Sequence, residues 1–464
     1  MVLSDLRTTL RRLLPAVEDT WNRPLSTYAG ALYSELRPTR NCVREDAFSK
    51  LCSLLCRRAR GMGYDDEKVE ALVAQMTRRP VIQTGPHCHL VIEPDAFFTH
   101  LFSAIGLEAC SERWYVSYAS STVKFTESAK KGPGWLWLDG TDVNVFGLAR
   151  RQMDPFSICG RHARQRFVLK TEHRPPQQPL AALLRPLLPD GDFPSAAEAI
   201  KAANQSLWPY CFGEELNFLQ IDDVDIGDLA TMHLSDSSSW LACEFFGGGK
   251  MAQSFLAAAG RLDSGIWGAW FRRTTDFFWA INDGRLRPLR LIDGRLRDEK
   301  GDLDLQCAAA PLANALMRRQ IVPNLFLAFL IMSILPGTRV LGGSRQVIYY
   351  PIMRYLLLSL LDEAPMQSAR ELAESIRTDE MPGAWGHRTI APLCRDPWRL
   401  VSERGSSATR DLQNSYAAMS LEEGSGSLPS FSADPLWREL IIQAACLPHS
   451  EWPLNMGVVP PRPL

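Results

Sequence analysis

The chain has 464 residues, 46% hydrophobic and 22% charged, the mix of a globular protein with room for two or three domains, which excludes collagen-like and largely disordered classes. Lysine and arginine number 51 against 52 acidic residues, so overall charge gives no reason to expect nucleic acid or an anionic membrane as a partner. Eleven cysteines without a repeated spacing fit a reducing cytoplasm better than a secreted disulfide framework.

In chain order, residues 1–78 carry helical periodicity, as in Leu51, Leu54 and Leu55 beside Arg57, Arg58 and Arg60, and predict a helical N-terminal region without a secretory h-region. "PVIQ" then reads as a strand ended by Thr84-Gly85-Pro86, with a helix opening at Pro94. "RWYVSYAS" and "GWLWLDGTDVNVFG" are rich in β-formers, the second with a hairpin turn at Asp139-Gly140. From Pro194 to Gly260 the signals are helical, with Ser195 and Glu198 spaced as a capping box. Asp283-Gly284 and Asp293-Gly294 predict a small antiparallel meander. The apolar run "LFLAFLIMSIL" is shorter than the ~20 residues a membrane span needs and reads as a buried helix. "TRVLGGSRQVIYYPIMRYLLLSLLDE" repeats the order strand, glycine turn, helix. Beyond Arg404 the Ser/Gly-rich composition predicts a linker or flap, and "LNMGVVPPRPL" an extended end.

The chemistry-bearing candidates sit in the two glycine turns. In "QTGPHCH", Thr84, His87 and the amides around Gly85 lie where open α/β sheets bind ligands, just beyond a strand's carboxyl end. His87 and His89 are the expected general acid or base, because imidazole titrates near working pH. A metal set with Cys88, Glu93 or His100 lacks paired metal-ligand spacing, so no metal site is assigned. Cys88 reads as a buried inert thiol rather than a nucleophile. In "LGGSRQ", Gly342 and Gly343 permit close approach, Ser344 is placed to cap the helix, and Arg345 and Gln346 add a positive charge and an amide. "FFGGGKMAQ" fails as a P-loop, since Glu244 and Met251 stand where glycine and Ser/Thr are required. "IDDVDIGD" reads as a solvated acidic helix face, with Ile221, Val224 and Leu229 inward. The arginines at 150, 151, 161, 164 and 166, with His162, read as solvated surface.

Thr84 and Gly85 in the first turn, with Asn314, Leu316, Arg318, Gly342, Gly343, Ile348 and Tyr350 around the second, carry a resemblance to the bacillithiol-synthesis cysteine-adding enzymes. That family shows "TGQQ-x-G" and "N-x-L-x-R" preceding "GGPGE-I-x-Y". Pro86 and His87 replace its Gln-Gln, Ser344 to Gln346 replace its Pro-Gly-Glu, and "VSYASSTVKF" stands where its "EDHD" run would be. The resemblance implies an α/β, Rossmann-like core over 79–404, resembling class I nucleotidyl-transfer proteins, with a mixed helical and meander insertion at about 150–310 and a tail at 405–464. It also implies a ligase-like or transferase-like biosynthetic enzyme joining or modifying an amino-acid-derived or thiol-containing small molecule. Two alternatives stand beside it. One is ATP-dependent nucleotidyl transfer with Lys130 or Lys131 as mobile cation, and the other a noncatalytic scaffold that retains the fold.

Overall fold

The strand expected at "PVIQ" forms, and four others lie in register beside it. In the computed structural model, which describes residues 3–161, 164–171, 179–262, 267–379 and 384–444, they are β1 (Val81–Gln83), β2 (Trp114–Tyr118), β3 (Asn217–Ile221), β4 (Arg339–Gly342) and β5 (Ala384–Trp385). Their order is β5-β4-β1-β2-β3, and every neighbouring pair is parallel. The chain therefore leaves β1 towards one edge through β2 and β3, then returns to the other edge as β4 and β5. The order reverses between β1 and β4. Apart from Asn217 and Arg339, the strand residues are buried, which explains their near-continuous apolar runs.

Helices follow the strands where local chemistry starts them. Helix α1 (Pro94–Ala109) begins with proline in its first turn and the Glu93 carboxylate accepting from Ala96 N. Helix α2 (Ala196–Phe212) is capped by Ser195, and α3 (Asp223–Ser235) by Asp222. Helix α4 (Gln346–Glu363) follows β4. Asp139-Gly140, Asp283-Gly284 and Asp293-Gly294 all have positive φ at both residues, the geometry of two-residue hairpin turns whose twist suits the strands. The second and third of these join strands 278–282, 285–292 and 295–298 of an antiparallel five-stranded sheet.

Three expectations are corrected. The stretch from Pro194 to Gly260 is not helical throughout, because "NFLQI" is β3; the segment 150–310 is therefore no simple insertion, since it supplies an edge strand to the main sheet. Residues 405–444 are not a linker. Helices Ser406–Ala418, Leu421–Ser425, Pro429–Ser432 and Pro435–Ala444 follow one another there, and Tyr416, Leu421, Phe431 and Trp437 are buried. Spaced apolar residues were enough to anchor a segment of polar composition. The extended end expected at "LNMGVVPPRPL" lies outside the described residues. The helical N-terminal region does form, from Leu3–Leu13 to Asp66–Arg78, but it packs against the sheet: Tyr28 Oη donates to Trp385 O (2.8 Å), and Gln75 bridges the backbone N and O of Trp114. Among the described residues, no helix is long and apolar enough to cross a membrane.

The core beside β2 and β3 contains a histidine. His100 of α1 lies edge-on to Tyr115, Trp208, Phe212 and Phe218, and Trp208 stacks on Phe218 at 4.2 Å between centroids. Burial pulls the pKa of His100 down to about 3, and burial with Lys50 nearby pulls that of His233 in α3 down to about 4. In the unfolded chain both titrate near ~6.5. Between that pH and their folded values the unfolded state binds protons that the folded state refuses, so stability falls as pH falls, by up to ~1.4 kcal/mol per pH unit for each histidine. Urea midpoints measured from pH 7 to 5 should drop, and His100→Phe should make the drop shallower.

Candidate active site

The two glycine turns meet. Thr84 N and Oγ1 both lie within hydrogen-bond distance of Leu341 O (2.8 and 2.7 Å), which staples the end of β1 to the end of β4, and Thr84 Oγ1 is also 2.8 Å from Gln346 Oε1. What the glycines accommodate, however, is the protein itself. A Cβ on Gly85 would fall 2.4 Å from the His387 ring, one on Gly343 would fall 3.2 Å from His387 Nδ1, and one on Gly342 would strike the Gln346 amide. His387 is held there because its N–H and that of Gly386 donate to Gly342 O. Burial, with Arg388 alongside, lowers the His387 pKa to about 3. The expectation that Gly85, Gly342 and Gly343 cradle a guest is therefore corrected: their space is filled by His387 and Gln346.

Ser344 and Arg345 also depart from expectation. Ser344 does not cap α4; its hydroxyl donates to Ser430 O (2.8 Å). Arg345 forms a two-pronged pair with Asp434 (2.7 and 3.1 Å). Both residues dock the C-terminal helices and leave no charge aimed at a ligand. Lys131 pairs with Asp95 and Lys130 with Asp142.

The open space lies alongside. A cavity of about 390 Å³ sits at the carboxyl edge of the parallel sheet, with Thr84, His87, Tyr118, Ser120 and Thr122 on that edge. Its walls are largely aromatic, including Phe255, Trp270, Phe277, Phe326 and Phe329, and Asn324 and Tyr349 add polar atoms. At its lining Arg273 is held by Asp276, whereas Arg272 is exposed and makes no ion pair among the described residues. An apolar slot with a few convergent polar groups is the usual form of a small-molecule site.

The edge is held from beneath by a buried carboxylate. Asp223 accepts from Tyr118 Oη (2.6 Å), Ser120 Oγ (3.1 Å), Ser121 N (2.5 Å) and Thr122 N (2.7 Å). Burial, with Asp222 beside it, raises its pKa against the pull of these donors. Its neighbours Asp222 and Asp225 are buried around Lys201 (3.0 and 2.9 Å), and Arg58 reaches Asp225. The solvated acidic face expected of "IDDVDIGD" is thus corrected, because the first three of its aspartates face protein donors.

His87 lines the cavity half exposed, and its Nδ1 lies 2.6 Å from Glu127 Oε1. His89 is 6% exposed, and its Nε2 lies 3.5 Å from the same oxygen. Burial opposes charge on His89, but the hydrogen bond to Glu127 and the carboxylates of Glu93, Glu127 and Asp95 outweigh it and raise its pKa. Burial likewise opposes charge on Glu127, and the two histidines prevail and hold its carboxyl well below the usual range. The histidine turn is pinned by Cys88 N donating to Ser120 O and by Asn204 Nδ2 donating to His89 O. The loop of Glu127 closes through Glu127 N to Lys131 O (2.9 Å), and Gly132, at φ +130, leaves room where a Cβ would fall 2.7 Å from Glu127 N.

Cys88 turns away into the core beside Gln220 and Ala197 O, its thiol pKa pushed well up by burial. His100 lies in the aromatic cluster, and Glu93 caps α1. His100 does not join His87 and His89, and Glu93 acts on His89 through its charge rather than as a member of the donor group. The missed partner, Glu127, lies in a polar loop with no spacing that links it to the histidines. Of the arginines, Arg161 pairs with Glu198 and Arg164 with Asp192; His162 lies outside the described residues. In comparisons with known proteins, the chain matches no family model and no curated protein.

Proposed function

We propose that the chain is a small-molecule biosynthetic enzyme, ligase-like or transferase-like, that its parallel sheet is a Rossmann-like core, and that it joins or modifies an amino-acid-derived or thiol-containing metabolite. The observation that carries this reading is the cavity at the carboxyl edge of the sheet, next to the point where strand order reverses, which is where open α/β sheets bind their ligands. The resemblance at Thr84, Gly85, Gly342 and Gly343 supports it, since these residues bring the two turns together. His87 is the group at the reacting end, because it combines cavity exposure with a carboxylate that orients its ring. His89 is too enclosed to meet a substrate directly and acts through Glu127. The aromatic walls favour a substrate with an apolar or planar body, and Arg272 favours an anionic group at the mouth.

A thermal-shift panel of amino acids, thiols and their carboxylated conjugates tests the reading, with Ala259→Phe as the blocked form because Ala259 lines the cavity. A true ligand at 100 times its dissociation constant stabilises the wild type by ~2.7 kcal/mol. The shift should vanish in Ala259→Phe, while His87→Ala should retain binding and lose turnover. If no compound shifts the wild type, or the blocked form responds equally, the cavity is not a substrate site and the scaffold alternative is favoured.

A further inference from the structure

We propose that His87, His89 and Glu127 form a binding site for one divalent d-block cation, zinc foremost, with an open coordination position towards the cavity. One donor atom from each residue lies within 4.8 Å of the others. Two imidazoles and one carboxylate are a donor set that such ions take, and three protein ligands with a vacant fourth place are the arrangement of reactive rather than structural zinc sites. Two of the three separations are near what an ion needs, and the third lies within 4.8 Å. Ligands at ~2.1 Å from a tetrahedral centre stand ~3.4 Å from one another. His89 Nε2 and Glu127 Oε1 are 3.5 Å apart, and His87 Nδ1 and Glu127 Oε1 are 2.6 Å apart. The second pair must open by somewhat less than an ångström, and the half-exposed His87 ring is the member free to swing.

The surroundings support capture. The backbone of the histidine turn is fixed by Ser120 O and Asn204, and the loop of Glu127 by its closure on Lys131 O, so two of the three donors are placed before an ion arrives. The nearby cations do not compete, since Lys131 and Arg388 both face Asp95. Entry is by way of His87, which is exposed and borders the cavity. The cavity reading enters only in what the ion would do: with His87 and His89 engaged as ligands, proton transfer passes to an ion-bound water, whose pKa zinc lowers to ~7.

Chelator-treated full-length chain, titrated calorimetrically with zinc and separately with cobalt(II), tests the site without any metabolite. The wild type should bind one equivalent of zinc and give a cobalt visible spectrum of a low-coordinate nitrogen and oxygen site, with no sulfur charge-transfer band. Binding should weaken at least tenfold in His87→Ala, His89→Ala and Glu127→Gln, and persist in Cys88→Ser. His87→Ala lies at the rim and keeps the test decisive if His89→Ala fails to fold. Absence of stoichiometric binding to the wild type, or equal binding by His87→Ala and Glu127→Gln, overturns the site. A metabolite panel that fails while zinc binds would remove the cavity reading and leave the metal site standing.

Discussion

Asp379→Ala is expected to destabilise the chain by ~3–5 kcal/mol, the cost of leaving a buried guanidinium without its carboxylate. Arg44, on helix Cys42–Gly61, and Asp379 are 0% and 1% exposed, and they pair through two parallel hydrogen bonds of 2.8 and 2.7 Å. The remaining donors of Arg44 reach the carbonyls of Thr39, Ser375 and Leu335. Gly337, at φ +71, makes this possible, because a Cβ there would fall 2.4 Å from Arg44 Nη2. The pair ties the N-terminal helices to the segment just before β5, so its loss should loosen the sheet edge as well as lower the urea midpoint. Asp379→Asn, which keeps one acceptor, should lose less. The double change Arg44→Met with Asp379→Leu should recover most of the stability, since replacing both charges by apolar groups removes the unpaired ion. A double variant as unstable as Asp379→Ala would show that shape, not charge pairing, decides this position.

The second large effect is expected at Asp223. Removing its carboxylate in Asp223→Ala strands two backbone N–H groups and the hydroxyls of Tyr118 and Ser120. Each buried orphan costs ~1–3 kcal/mol, reduced where water enters from the cavity that Tyr118 and Ser120 line. A net loss of ~3 kcal/mol in urea unfolding follows. The sharper readout is local. Ser120 and Thr122 leave their positions on the cavity floor, so any compound that stabilises the wild type should lose its effect in Asp223→Ala at temperatures where the variant is still folded. Asp223→Asn keeps an acceptor for the two backbone donors and should fall between. Full ligand response in Asp223→Ala would mean that Tyr118, Ser120 and Thr122 do not shape the cavity.

The features legible in the sequence were those set by neighbours in the chain. The glycine turns and helix starts at Val81 to Ala109 and at Arg339 to Glu363, the Ser195 cap and the three Asp-Gly hairpins are set by residues a few places apart, and the two strands showed as short apolar runs although their partners are distant. Features set at a distance were not legible. Gly342 and Gly343 announce a tight approach, but only the fold reveals that Gln346 and His387 make it. Arg345 announces a charge, and Asp434 consumes it. Ser344 stands where a cap belongs, but the chain returning at Ser430 offers its hydroxyl another acceptor. The acidic run at Asp222 looked solvated because aspartates usually are; Lys201, Tyr118 and Arg58 reverse that. In the same way β3 was masked by the helices on either side of it, and β5, two residues long, is too short for any periodicity to show.

The position of β1 between β2 and β4 governs how the molecule can be made. Its bond from Thr84 to Leu341 spans 257 residues, so during synthesis one flank of β1 waits for most of the polypeptide to emerge. Closing so wide a loop is slow, and an unpaired parallel strand is an invitation to wrong partners meanwhile. Until β4 pairs with it, that flank of β1 is therefore a place where wrong strand pairing is to be expected.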